Sequence, residues 1–204
     1  MFGSINIIYI VVLIVLVLIS LTIHEFMHAY VGYLLGDNTA RSGGRLSLNP
    51  LSHIDPLMTV ALPVITTILP PHNPILAAKP VPFDPRNVKY NEFGAAMIAA
   101  AGPLANLVLA FFAALVVHLL AAGSFLSQVL HLFITLNVAL FIFNLLPIPP
   151  LDGSRVLYAF APEPLQRLMM DIEPYGLIIV FGLILAGGFG FLQILNTNVL
   201  NLLP

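Results

Sequence analysis

From Ile5 to Ile23 the chain is apolar apart from Asn6, Ser20 and Thr22, a run long enough to cross the hydrocarbon of a bilayer. Helical character is expected to continue to Leu35, with Gly36 as the stop. The run passes straight into polar chemistry, with no small-residue cleavage site behind a short apolar core, so it reads as a retained helix and not a signal peptide. Residues 37–56 are polar and Gly-rich. Within them Arg45-Leu46-Ser47-Leu48-Asn49 alternates with a period of two, which predicts a short strand. Leu57 to Leu69 is apolar but short for a span, carries Pro63, and precedes a Pro-rich stretch from Pro70 to Pro85. Phe93 to Leu120 and Phe125 to Leu146 predict two full spans, paired as a hairpin through a tight turn at Gly123-Ser124. Pro147, Pro149 and Pro150 then break the helix. A polar, partly amphipathic stretch follows to Tyr175, and Leu177 to Leu195 predicts a final span.

The expected architecture is therefore an all-α integral-membrane bundle of about four full spans plus a re-entrant segment, with a short β element near the active site. No internal repeat divides the chain. Residues 1–204 read as a single membrane-embedded domain, with a catalytic core at about 5–155 and an accessory C-terminal span at about 174–195.

Composition supports lipid as the solvent. Of 204 residues 59% are hydrophobic and 8% charged, more apolar surface than a soluble core of that size hides. A net charge of -2 supplies no basic patch for nucleic acid. Cysteine is absent, which excludes disulfides and thiolate metal sites, so a metal would need His, Asp or Glu. The seven Lys and Arg fall in three groups: Arg41 and Arg45; Lys79, Arg86 and Lys89; Arg155 and Arg167. If residues 57–69 re-enter rather than cross, all seven share one face, as the positive-inside rule favours. That places the N-terminus outside and the end of the first helix at the cytoplasmic side.

His24-Glu25-Phe26-Met27-His28 is an H-E-x-x-H pattern on this first helix, and residues four apart lie one above the other on a helix. Both imidazoles can reach one zinc ion, and Glu25 stands where a general base for hydrolysis would. A pattern with three fixed positions recurs by chance, but ionisable groups in an apolar membrane helix cost roughly 2.5 to 3.5 kcal/mol on insertion scales and are functional by default. At about 1.5 Å per residue, His24 lies near the cytoplasmic boundary, with Tyr30 and Tyr33 beyond it in the aromatic belt.

A catalytic zinc takes three protein ligands and keeps one position open. Asp152 stands out as the third, because it follows a helix broken at Pro147-Ile148-Pro149-Pro150 and is backed by Gly153 and Ser154. Asp55 and His53 are the rival ligands.

Taken together, His24-Glu25-Phe26-Met27-His28 and Asn144-Leu145-Leu146-Pro147-Ile148-Pro149-Pro150-Leu151-Asp152-Gly153 resemble the motifs of the site-2 protease family of intramembrane metalloproteases. Gly102-Pro103-Leu104-Ala105-Asn106 resembles the family's middle-helix motif. Residues 49–56 and 78–82 resemble its small members, which lack PDZ and CBS domains. The resemblance implies His24, His28 and Asp152 as ligands of one Zn2+, Glu25 as catalytic base, and Asn144 as a substrate-binding or transition-state group. It implies hydrolysis of a peptide bond in or near a transmembrane segment of a membrane-protein substrate. The expected setting is a multi-pass protein in the lipid bilayer of a prokaryotic cell, with the active site toward the cytoplasm.

Asn137 and Asn144 are seven apart, hence on one helical face, and together with Thr135 and His131 they give this span more polarity than lipid contact permits all round, so they should face the bundle interior. For Asn137, Thr135 and His131, interhelical hydrogen bonding is the expected role; Gly102 and Ala99 to Ala101 read as close-packing residues. Asn106 is open to either role. The strand at 45–49 suggests capture of an unwound substrate by β-addition. A non-proteolytic membrane protein that binds or transports zinc is the alternative, and an inactive homologue the second; Glu25→Gln separates hydrolysis from transport.

Overall fold

A computed structural model of the chain describes residues 7–54, 81–185 and 190–203. Three of its helices are long and apolar enough to cross a membrane: α1 (Ile7–Leu34), α3 (Asn91–Val117) and α4 (Phe125–Asn144). Between α1 and α3 lies α2 (Thr39–Ser42), a single turn. After α4 come α5 (Asp152–Phe160), α6 (Glu163–Ile172), α7 (Gly176–Leu185) and α8 (Gly190–Leu200).

The central element is α3, which packs against α1, α4 and α5. Its buried face is built from Gly94, Ala96, Ala99, Ala101, Gly102, Ala110, Ala113 and Ala114. Small side chains let neighbouring backbones approach closely, which is how helices associate where lipid removes the hydrophobic drive between them. Ala110, Ala113 and Ala114 meet Ile134, Val138 and Ile142 of α4 in the larger apolar cluster. Outside it, α1 turns Ile7, Ile8, Val11, Ile14 and Val15 outward, as a lipid-facing surface requires.

The predicted helix ends match closely. α1 stops at Leu34, and Gly36 adopts φ +103°. Asp37 N donates to Gly32 O at 3.0 Å and Gly36 N to Tyr33 O at 3.1 Å, the paired bonds of a Schellman stop. At the start of α4, Ser124 caps by accepting from Ser127 N. Buried Asp37 ties the next return of the chain to this end of α1: it accepts from Thr39 N and Oγ1, and from Asp84 N at 2.9 Å. Lys89 N then donates to Leu35 O at 2.9 Å.

One expectation differs from what is seen. Residues 45–49 form no strand, because local bonds occupy the groups a ladder would need. Ser47 O accepts from His53 Nε2, Asn49 O accepts from Ser52 Oγ, and Arg45 turns inward to Ser52 O. No strand occurs among the described residues. The final span expected over 177–195 includes residues outside the described ones; Gly176–Leu185 before them and Gly190–Leu200 after them are helical. The re-entrant expectation for 57–69 lies outside the described residues, and so do Asp55 and His72.

Candidate metal centre

The helical spacing of His24 and His28 brings their rings edge to face, with Nε2 atoms 3.0 Å apart. Asp152, the first residue of α5, places Oδ2 3.3 Å from each of them. Four ligands around zinc at about 2.0–2.1 Å sit about 3.3 Å from one another, so this triangle has the dimensions of one face of a tetrahedral site. Both imidazoles are buried, at 4% and 7% exposure, and Asp152 is half-buried.

Hydrogen bonding on the far side of each ring decides what the near side offers. His28 Nδ1 lies 2.7 Å from Ile98 O, a carbonyl that only accepts, so Nδ1 carries the proton and Nε2 presents a lone pair. His24 Nδ1 lies 2.6 Å from Asn106 Oδ1, which gives the same tautomer if that oxygen is the acceptor. Asp152 Oδ2 is buried and makes no hydrogen bond. Three electron-rich atoms thus converge on one point, an arrangement that a cation relieves. A single proton bridges only one pair of the three. These residues fit zinc in number, type and spacing, and they could hold one metal ion.

The space beside the rings is kept open by Gly102. A Cβ built on it would lie 2.3 Å from His28 Nε2 and 2.7 Å from His24 Nε2. Asp152 is carried to the rings by the sharp return after α4, where α5 packs on α3. Ser154 closes that turn through Oγ to Leu151 O at 2.7 Å.

Glu25, next to His24, is buried at 8% exposure and lies within electrostatic range of both imidazoles and Asp152. His53 is not part of the triangle: it is buried in the loop, with Nε2 against Ser47 O at 2.8 Å. Asn144 is half-buried, and its amide donates to Leu140 O in its own helix at 2.9 Å. His131 bonds Ser127 O and Thr135 bonds His131 O, local contacts within α4.

Sequence reasoning placed Gly102 as a packing residue and left Asn106 open; both touch the metal-site imidazoles. The signal for Asn106 was its amide in an apolar helix, four residues from Gly102 and so on the same face. Ile98 acts through its carbonyl and left no signal in the residue type.

Comparison with known proteins gives one family. The model for Peptidase family M50 matches residues 118–187. The chain is 38% identical over 176 residues to "Putative zinc metalloprotease YwhC" of Bacillus subtilis (strain 168), covering 82% of this chain and 77% of that protein. It is 32% identical over 177 residues to the Rip2 protein of Mycolicibacterium smegmatis, which carries the same description, and 30% identical to Rip2 of Mycobacterium tuberculosis (strain ATCC 25618 / H37Rv). These matches cover 82% and 83% of this chain and 64% of each Rip2. No solved structure matches the chain.

Proposed function

Because the chain belongs to Peptidase family M50, the site-2 protease family of zinc metalloproteases, we propose that it hydrolyses a peptide bond in or near a transmembrane segment of a membrane-protein substrate. In this reading His24, His28 and Asp152 hold the ion, and Glu25 is the general base. The observation that carries it is the convergence of two imidazole lone pairs and an unpartnered carboxylate oxygen on one point, 3.0 to 3.3 Å apart.

When bound, zinc polarises a carbonyl oxygen and makes a coordinated water a nucleophile near neutral pH. The protein's own residues do the rest. Glu25 takes the proton of the attacking water and delivers it to the leaving amine as the C–N bond breaks. Its burial keeps that proton from exchanging with bulk solvent between the two transfers. Asn144 supports the oxyanion in this proposal, and to do so its amide must swing away from Leu140 O.

The site's proposed orientation is toward the cytoplasm. In support, Asp37 bonds Asp84 N and Lys89 N bonds Leu35 O, which gathers Arg41, Arg45, Arg86 and Lys89 around the inner end of α1. A cationic cluster at one end of a bundle is the positive-inside signature.

The decisive experiment is metal content in detergent for wild type, His28→Ala and Asp152→Ala, with Glu25→Gln assayed on a membrane-protein substrate. About one zinc per chain in wild type, sharply reduced in both ligand variants, with Glu25→Gln loaded but inactive, is the expected result. Zinc retained by Asp152→Ala would remove Asp152 from the site. Cleavage by Glu25→Gln would remove the general-base role.

A further inference from the structure

The metal-site reading above leaves one choice unexplained: Asn106 has an oxygen and an amide nitrogen, and only the oxygen can hold His24 in the tautomer that turns a lone pair to the metal. The answer lies further from the site. Asn137 of α4 is wholly buried, and its Nδ2 lies 2.9 Å from Phe133 O and 2.9 Å from Ser20 Oγ. Phe133 O only accepts, so the Asn137 amide must face it with nitrogen. The oxygen of Asn137 is thereby turned toward Asn106, whose Nδ2 approaches it at 2.8 Å. Asn106 Nδ2 also faces Ser20 O at 3.4 Å, a second acceptor. With its nitrogen committed twice, Asn106 has only Oδ1 left for His24 Nδ1.

Ser20 completes the same sense of direction. Its hydroxyl donates to Leu16 O at 2.8 Å, leaving Oγ a lone pair for Asn137 Nδ2. Every donor therefore points away from the metal site, and the sequence His24, Asn106, Asn137, Phe133 O has one permitted polarity. Asn106, Asn137 and Ser20 are each 0% exposed, so no water is at hand to relieve a reversed amide. Both Asn side chains span between helices: Asn106 joins α3 to α1 and α4, and Asn137 joins α4 to α1 and α3.

We infer that Asn106 and Asn137 are positioning residues for the metal site, forming a directional relay from the Phe133 carbonyl that fixes Nδ1–H on His24 and leaves its Nε2 free to bind zinc. The inference rests on His24 being a ligand. It extends the site from the three proposed ligands to α4, which contributes none of them. Such outer partners typically change metal affinity by about 10–100-fold when removed. Asn106→Leu removes the acceptor directly, and Asn137→Leu removes only what orients it, so the second effect should be the smaller.

The test measures zinc dissociation constants by chelator competition in detergent, with folding checked by circular dichroism. Wild type and His28→Ala serve as the bounds. Asn106→Leu should weaken zinc at least about tenfold and Asn137→Leu at least about threefold. Labelling with 15N-histidine gives a readout that packing alone would not move. In zinc-loaded wild type, His24 should carry a protonated, slowly exchanging Nδ1, and in Asn137→Leu that proton should exchange faster.

Folded Asn106→Leu and Asn137→Leu proteins that bind zinc within twofold of wild type, with His28→Ala defective, would overturn the relay and leave the metal site standing. A His24 in zinc-loaded wild type bound through Nδ1 would also overturn it, and that spectrum needs no variant to fold. Wild type that takes up no zinc would overturn the metal-site reading and the relay with it.

Discussion

Gly153 lies against Leu145 so closely that a Cβ on it would sit 2.1 Å from the Leu145 carbonyl oxygen and 2.5 Å from that of Leu146. The contact is between two backbones, at the place where the chain leaves α4 and begins α5. Neither side has a flexible tip that can yield.

Gly153→Ala should therefore shift the start of α5 and carry Asp152 away from the imidazoles. We expect zinc affinity to fall at least about tenfold and the melting temperature in detergent to drop. Gly182→Ala is the control: it lies in α7 with nothing near the new methyl group, and helix propensity alone favours Ala by up to about 1 kcal/mol. Equal behaviour of the two variants would show that the Gly153 contact does not position Asp152.

Gly102→Ala separates fold from site in the opposite way. Alanine suits the interior of α3, so the apo protein should fold, but the added methyl enters the space where the two Nε2 atoms face Asp152. Zinc content should fall to near that of His28→Ala, with a smaller fall in apo melting temperature than Gly153→Ala shows, because the clash is with the ends of two side chains and not with backbone. Full zinc occupancy in this variant would mean that the rings can move aside at small cost.

Much of this site was legible in the sequence, and its limits have physical causes. His24 and His28 were placed by helical spacing, which is local chain geometry; Asp152 stood out at the proline break with Gly153 behind it, but only the family resemblance raised it above Asp55 and His53. Gly102 was recognised as small but not as adjacent to the rings. A stripe with Gly94, Ala99, Ala101 and Gly102 looks uniform until the rotation of α3 against α1 is known. At 45–49 the alternation of Leu46 and Leu48 predicted a strand, yet Leu48 is exposed and Ser47, Asn49 and His53 use the backbone groups locally. A period of two reports side-chain alternation and says nothing about whether a partner strand exists. Asn144 carried an expected role from its motif, and its present bond to Leu140 O is the local alternative open to any helical Asn.

Asp152→Asn tests the electrostatics of the His24, His28 and Asp152 triangle in metal-free protein. An amide nitrogen there can donate to the lone pairs that the carboxylate opposes, so the apo variant should melt at or above the temperature of apo wild type. Zinc at one hundred times its dissociation constant stabilises a folded protein by about 2.7 kcal/mol, and the variant should lose that increment. The signature is thus a raised apo melting temperature together with a lost zinc response. If apo Asp152→Asn melts well below apo wild type, the carboxylate is held by some favourable partner and the convergence of electron-rich atoms is not its governing feature.

The loop that follows the C-terminal end of α1 depends on Asp37. Its carboxylate, 1% exposed, accepts from Thr39 N and Oγ1 through one oxygen and from Asp84 N through the other. Asp37→Ala would leave those donors without their acceptor in a buried position, and hydrogen bonds to a charged group contribute about 1.5–3 kcal/mol each. A loss of about 3 kcal/mol is expected, read as a lower melting temperature in detergent. Because Asp84 and Lys89 anchor the chain just before α3, backbone exchange at residues 84–89 should also become faster. Arg167→Ala, which breaks only the exposed pair with Glu163 on α6, should leave both readouts unchanged. Zinc content should survive Asp37→Ala, since none of its contacts reaches the imidazoles. Metal loss in that variant would show instead that the return of the chain to α1 holds α3, and with it Gly102 and Asn106, in register against His24 and His28.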